Sequence, residues 1–265
     1  MAAATEKIIR FEKVSKAFNH QAVLRDLDLR IQRGKVTVVI GPSGCGKTVL
    51  LKHVVGLIHP DSGHVFFENQ DITKTSERDL VPIRRRIAYI FQSNALFDSM
   101  SVIQNVQFPL VELGVDEDEQ RQRAETALRM VGLEDTMDKM PEELSGGQKK
   151  RVALARGIVI RPEVILYDEP TTGLDPIRAD LINELILKLQ RELHTTALVV
   201  THDMDSARKI ADRIVMLFEG RILADTTPEN LKNLKNEVAI RFVEGRATQE
   251  ELERLSFTSS TGNGQ

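Results

Sequence analysis

The sequence predicts an α/β fold, and three observations predict it. Short apolar runs of the kind that form buried strands, at 36–40, 164–167 and 197–201, alternate with stretches whose apolar residues recur at helical spacing. Between the first run and its helix lies Gly41-Pro42-Ser43-Gly44-Cys45-Gly46-Lys47-Thr48, which satisfies G-x-x-x-x-G-K-[ST] in the strand-then-helix setting that gives the pattern meaning. The second run ends in adjacent carboxylates, Asp168 and Glu169, at the carboxyl end of a strand, where an α/β sheet keeps its chemistry.

Composition narrows the function. With 265 residues the chain can hold one large domain or two modest ones. Lys plus Arg number 36 against 39 Asp plus Glu, a net charge of -3 that gives no support to a nucleic-acid partner. The single cysteine, Cys45, excludes an intrachain disulfide and points to a reducing compartment. No signal peptide opens the chain, and no apolar run approaches the roughly 20 residues needed to span a bilayer. The expectation is a cytoplasmic protein that meets a membrane through a partner.

Taken in order, residues 1–7 read as a loose end and 8–14 as a half-exposed strand. Alternation of Leu27, Leu29 and Ile31 predicts a second strand running into a turn at Arg33-Gly34. The stretch 49–55 is a helix, HPDSG at 59–63 is turn chemistry, and 65–67 is a strand. Arg84-Arg85-Arg86 reads as a solvated face before a strand at 87–91. Helices at 102–113 and 120–131 flank an acidic turn at 116–119, with Ala124, Ala127, Leu128 and Val131 inward and Met130, Met137 and Met140 as filler. Ser145 suits the cap of a helix that Arg161-Pro162 stops. After the strand at 164–167 come a helix at 178–193, the strand 197–201, a short helix at 205–211, a hairpin around Glu219-Gly220 and a helix at 228–234. Beyond Lys235, VAIRFVEGR reads as a strand or extended segment, TQEELERL as a short helix, and 258–265 as disordered.

The chemistry follows from residue types. Glycines at 41–48 allow a tight turn that aims N–H groups at a triphosphate, and the following helix adds its positive end. Lys47 would then reach the β- and γ-phosphates, and the Thr48 hydroxyl would be a Mg²⁺ ligand. Ser145 followed by Gly146, Gly147 and Gln148 leaves a second set of bare N–H groups at a helix start. Asp168 holds Mg²⁺ through water while Glu169 polarises the attacking water. Gln92, after a strand, can both ligate Mg²⁺ and orient water, and His202 can hydrogen-bond a γ-phosphate. Phe18 is either a core residue or a stacking surface for adenine.

Together, GPSGCGKT, Gln92, LSGGQ, ILYDEP, GLD and His202 resemble the ATP-binding cassette (ABC) family in order and spacing, from about residue 8 to 235. The resemblance implies a P-loop NTPase of ABC type: a mixed sheet core, an antiparallel β-subdomain, and a helical subdomain at about 93–160. It implies an ATP-binding domain at 1–236 and a C-terminal extension at 237–265. In that family two copies pack head to tail, so that each ATP lies between the phosphate loop of one and the LSGGQ of the other. That makes a second copy the expected partner, puts Asp175 at the seam, and gives Phe18, Gln92 and Glu169 their roles as adenine stacker, Mg²⁺ sensor and catalytic base.

Within the family, FQSNALFDSMSVIQNVQFPL (91–110) and YDEPTTGLDPI (167–177) look like the ATPase subunit of Mce-associated, Mla-type phospholipid transport systems. That resemblance implies a membrane permease, an Mce-domain lipid-binding protein and a small regulatory subunit as partners, at the cytoplasmic face of an inner membrane. Ala95, Leu96, Phe97, Met100 and Val102 fit either a permease-docking surface or an internal core. An importer ATPase for small polar solutes shares every catalytic motif. A soluble cassette acting on DNA or ribosomes usually carries two cassettes or a long insert before LSGGQ, and has neither counterpart here.

Overall fold

The computed structural model describes residues 6–246. β1 (Lys7–Phe18) and β2 (Gln21–Gln32) form a long antiparallel hairpin whose turn residues, Asn19 and His20, both take positive φ, as a two-residue turn matched to strand twist requires. β3 (Val36–Ile40) then leaves for a second sheet, while β4 (Ser62–Phe67) and β5 (Gln70–Asp71) return to the first, giving the order β2-β1-β4-β5.

The second sheet has the order β10-β9-β3-β8-β7-β6, from β6 (Ile87–Ile90), β7 (Val164–Asp168), β8 (Thr196–Thr201), β9 (Arg213–Phe218) and β10 (Arg221–Thr226). β3, β6, β7, β8 and β9 run parallel, and β10 folds back antiparallel around Glu219-Gly220, both with positive φ. Being covered on both faces, the parallel strands are buried almost throughout and mostly apolar rather than alternating. Val38, Ile40, Ile165, Tyr167 and Val199 face one core. It is shared with α3 (Val102–Glu112), α4 (Glu117–Met130), α5 (Gly146–Ile158), α6 (Pro176–Leu193) and α7 (Met204–Ile210). Val39, Leu166, Leu198 and Val200 face a second core shared with α1 (Lys47–Val54), α2 (Glu77–Arg84) and the antiparallel sheet. α3, α4 and α5 pack on one another beyond the β6 edge.

Several expectations need correction. VAIRFVEGR is helical: α8 (Glu237–Glu244) is capped by Asn236, whose Oδ1 accepts from the N–H groups of Val238 and Ala239, and Ala239, Phe242 and Val243 seat it on the first core at helical spacing. TQEELERL and 258–265 lie outside the described residues. The acidic stretch at 116–119 is no turn, because Asp116 caps α4 and Glu117, Asp118 and Glu119 form its first turn, where the dipole favours negative charge. The segment 228–234 is a short 3₁₀ turn, Pro228–Asn233. Of the three arginines only Arg85 is exposed. Arg84 pairs with Glu77 and reaches the carbonyls of Val55 and Gly56, and Arg86 joins a closed ring with Glu163, Arg33 and Glu68. That ring ties β7's approach, the β2–β3 turn and the β4–β5 turn to β6. The stretch 95–102 divides: Val102 is fully buried and Leu96 packs against the core, whereas Ala95 and Phe97 are exposed.

Candidate functional site

Sheet register assembles the site. Ile40 lies opposite Thr201, Asp168 opposite Val200, and Ile90 opposite Tyr167, so the carboxyl ends of β3, β8, β7 and β6 form one edge. Along that edge the chain presents the phosphate loop, His202, the Asp168-Glu169 pair and Gln92. Ser43, Gly44, Gly46, Lys47, Thr48, Gln92, Glu169 and His202 line a common cleft of about 360 Å³, within the usual range of ligand sites. Val23 of β2 completes the wall.

The loop is shaped by backbone contact. Gly41 has φ 155, and a Cβ there would lie 2.2 Å from the carbonyl oxygen of Leu217 in β9, so any other residue would push the loop off the sheet. Gly46, at φ 106, caps α1 without a side-chain bond, which leaves the helix start open to an anion. Lys47 is 6% exposed, and its ammonium donates to the carbonyls of Gly41 (2.7 Å) and Pro42 (3.1 Å) while standing 3.5 Å from Glu169. Cys45 is half-buried, and burial pushes its thiol up against the opposing charge of Lys47.

The two carboxylates have different surroundings. Asp168 Oδ1 accepts from the Thr48 hydroxyl at 2.9 Å and Oδ2 from the Tyr89 hydroxyl at 3.0 Å, a hard-oxygen donor pair that fits Mg²⁺. Burial, and then the Asp168 charge, hold the Tyr89 phenol above its ordinary range, so it stays a donor. Glu169 Oε2 takes the imidazole Nδ1 of His202 at 2.9 Å and the Thr172 hydroxyl at 3.2 Å. Its backbone sits at φ 50, a left-handed conformation uncommon for glutamate, held by the bond from its N–H to the Val200 carbonyl.

Not every expected residue converges. Phe18, at the end of β1, is 42% exposed, which excludes the core alternative, and it does not line the cleft. Ser145, Gly146, Gly147 and Gln148 open α5 away from the cleft. Ser145 Oγ accepts from the Gln148 N–H and Gln148 Oε1 from the Ser145 N–H, leaving the N–H groups of Gly146 and Gly147 as bare donors. Asp175 caps α6 through the Arg178 N–H, also outside the cleft.

Three supports escaped the sequence reading. Tyr89 shows only once β6 is paired with β7. Thr172 is legible in principle, as a hydroxyl three residues after an acid. Asp203 caps α7, and its Oδ2 accepts from Ser206 and Thr171, which locks the turn after β8 to the turn after β7 and fixes His202 beside Glu169.

This geometry has relatives. A family model described as ABC transporter matches residues 24–172. The chain is 37% identical to the intermembrane phospholipid transport ATP-binding protein MlaF of Haemophilus influenzae, over 91% of this chain and 92% of that protein. It is 41% identical to the methionine import ATP-binding protein MetN of Rhizobium johnstonii, over 84% of this chain and 62% of that one. Among solved structures, cbiO1 of Clostridium perfringens, part of an ABC transporter complex, aligns with a TM-score of 0.81 and 34% identity over 95% of this chain and 99% of that one. A dimeric post-hydrolysis ATP-binding cassette, MJ0796 bound to ADP and Pi, aligns at 0.77 and 32% over 83% and 99%. By the family-model match and by identity of 37% over nearly the whole length of one relative, the chain belongs to the ABC transporter family as an ATP-binding ATPase.

Proposed function

We propose that this ATPase drives phospholipid movement between an inner and an outer membrane, as a head-to-tail homodimer seated on a membrane permease that works with an Mce-domain protein. The observation that carries the lipid reading is the alignment with the phospholipid transport protein along 91% of this chain. Among the described residues no helix is long and apolar enough to cross a membrane. In this reading the permease supplies the membrane contact, and a small regulatory subunit completes the assembly. Exposed Phe91 and Phe97 beside Gln92 supply the apolar surface that a permease helix would meet.

In the catalytic reading, the phosphate loop and Lys47 bind the triphosphate of ATP. Thr48 and Asp168, with Gln92, would hold Mg²⁺, which when bound would supply positive charge to the triphosphate. Glu169, aimed by His202 and Thr172, takes the proton of the attacking water, and His202 donates toward the γ-phosphate. Phe18 stacks on adenine. The bare N–H groups of Gly146 and Gly147 complete the site of a second copy, with Asp175 at the seam. Closing then depends on two bound ATP molecules, and hydrolysis removes the bridge.

A second reading, import of a small polar solute, is favoured by the 41% identity with a methionine importer. Purification of a tagged chain from its own cells in mild detergent, with mass spectrometry of co-purifying proteins and analysis of bound lipid, separates the two. A permease with an Mce-domain protein and enriched phospholipid supports the first. A permease with a solute-binding protein and no lipid enrichment would overturn it.

A further inference from the structure

The loop that follows Gln92 is clamped from two helices, and the clamps are unequal. From α3, the fully buried Asn105 donates to the carbonyls of Phe97 (3.0 Å), Met100 (2.9 Å) and Ser101 (3.1 Å) and accepts from the Phe97 N–H (2.8 Å), which makes a rigid knot of the loop's far end. From α5, Arg156 donates to the carbonyls of Ala95 (2.7 Å) and Asn94 (2.9 Å). Asn94 and Ala95 are consecutive non-glycine residues with φ 63 and 49, a strained pair that persists because the surroundings impose it.

Arg156 is unusual in its own right. It is half-buried, burial pulls its pKa below the ordinary arginine value, and among the described residues it forms no ion pair. Its charge is met by two carbonyls and the ring of Phe97, 5.8 Å away. A desolvated guanidinium spent on backbone carbonyls makes a stiff, directional link between α5 and the loop.

The near end of the loop is fixed as well. Phe91 stacks on Tyr89 with ring centroids 4.2 Å apart, and Tyr89 holds Asp168. Gln92 therefore sits between one anchor at the Asp168 carboxylate and one on α5, the helix that begins with Ser145. We propose that Arg156 is a positioning residue for ATP hydrolysis: it passes displacement of α5 to Gln92, so that the donor set facing a second copy and the Gln92 amide in the cleft are placed together. This rests on the proposed role of Gln92 toward Mg²⁺ and water.

The test is a double-mutant cycle on the full chain, reading ATPase kcat, KM for ATP and the Mg²⁺ concentration giving half-maximal turnover for Arg156→Ala, Arg156→Lys, Gln92→Ala and the Arg156→Ala, Gln92→Ala pair. Arg156→Ala is expected to lower kcat and raise the Mg²⁺ requirement about tenfold, with KM for ATP unchanged. Arg156→Lys, a point charge that can satisfy one carbonyl, should recover part of the loss. The pair should be no worse than Gln92→Ala alone. Multiplying losses in the pair, or wild-type turnover by folded Arg156→Ala, would overturn the proposal. If Arg156→Ala fails to fold, the cycle runs with Arg156→Lys. A Gln92→Ala chain with unaltered kinetics would remove the Gln92 assignment itself, an outcome distinct from additivity.

Discussion

The starts of α1 and α5 are built from the same material, glycines and bare N–H groups, yet one is finished by its own chain and the other is not. At α1 no side chain caps the helix, and at the cleft Lys47 stands beside Glu169 while the Thr48 hydroxyl donates to Asp168. At α5 the Ser145-Gln148 capping box closes the helix mechanically, Ser145 and Gly146 are exposed, and the nearest neighbour of a Cβ built on Gly147 is the Arg178 side chain at 3.7 Å. In the proposed reading, the same backbone physics makes a complete phosphate site in one place and half of a site in the other, and the difference lies in what the sheet edge brings alongside.

That contrast can be broken at its strongest point first. Glu169→Gln should lower kcat by about 10²- to 10⁴-fold, the usual contribution of a general base, and leave equilibrium ATP binding intact; phosphate release and nucleotide titration read the two apart. Next, Lys47→Ala should weaken ATP binding about 100-fold, by loss of charge-assisted hydrogen bonds. Gly147→Asp should leave binding to the isolated chain unaltered but lower turnover about 100-fold, since a carboxylate there repels the phosphates of a second copy's nucleotide. Equal binding losses from both would erase the distinction between finished and unfinished sites. Tyr89→Phe should raise the Mg²⁺ requirement of turnover about tenfold by freeing one oxygen of Asp168.

The smallest effect is on stability. Arg86, then Arg33, hold the Glu163 carboxyl down to about 2, against burial. With its folded value depressed, the group's contribution is present above about pH 4.5 and is lost as pH falls toward 2. Glu163→Gln should therefore cost about 1 kcal/mol at neutral pH, the scale of a partly solvated network, and flatten the acid limb of a denaturation profile. An unchanged acid limb would show that the ring is decorative.

The sequence made the finished site readable and hid its supports. The phosphate loop, Asp168-Glu169 and His202 announce themselves because each follows an apolar strand, and the parallel register then aligns them. Arg86 and Glu163 are 77 positions apart, so no local pattern pairs them. α2 carries Pro82 within it, which disguises the helix, and α8 shows four apolar residues in VAIRF that fit either period until Asn236 is seen as its cap. Phe18 leaves the core only because the β1–β2 hairpin carries it to the surface, which no local pattern records. Arg156 reads as an ordinary cation in a helix's last turn, because carbonyl partners leave no trace in sequence.

The left-handed backbone of Glu169 sets function against durability. Holding a branched-free but non-glycine residue at φ 50 costs on the order of 1 kcal/mol, a penalty glycine escapes and asparagine feels less. A library sorted on folding alone should accumulate Gly or Asn at position 169, and a library sorted on ATP turnover should restore Glu. Ancestry under a stability regime would be recorded at this position, where backbone comfort and chemistry ask for different residues.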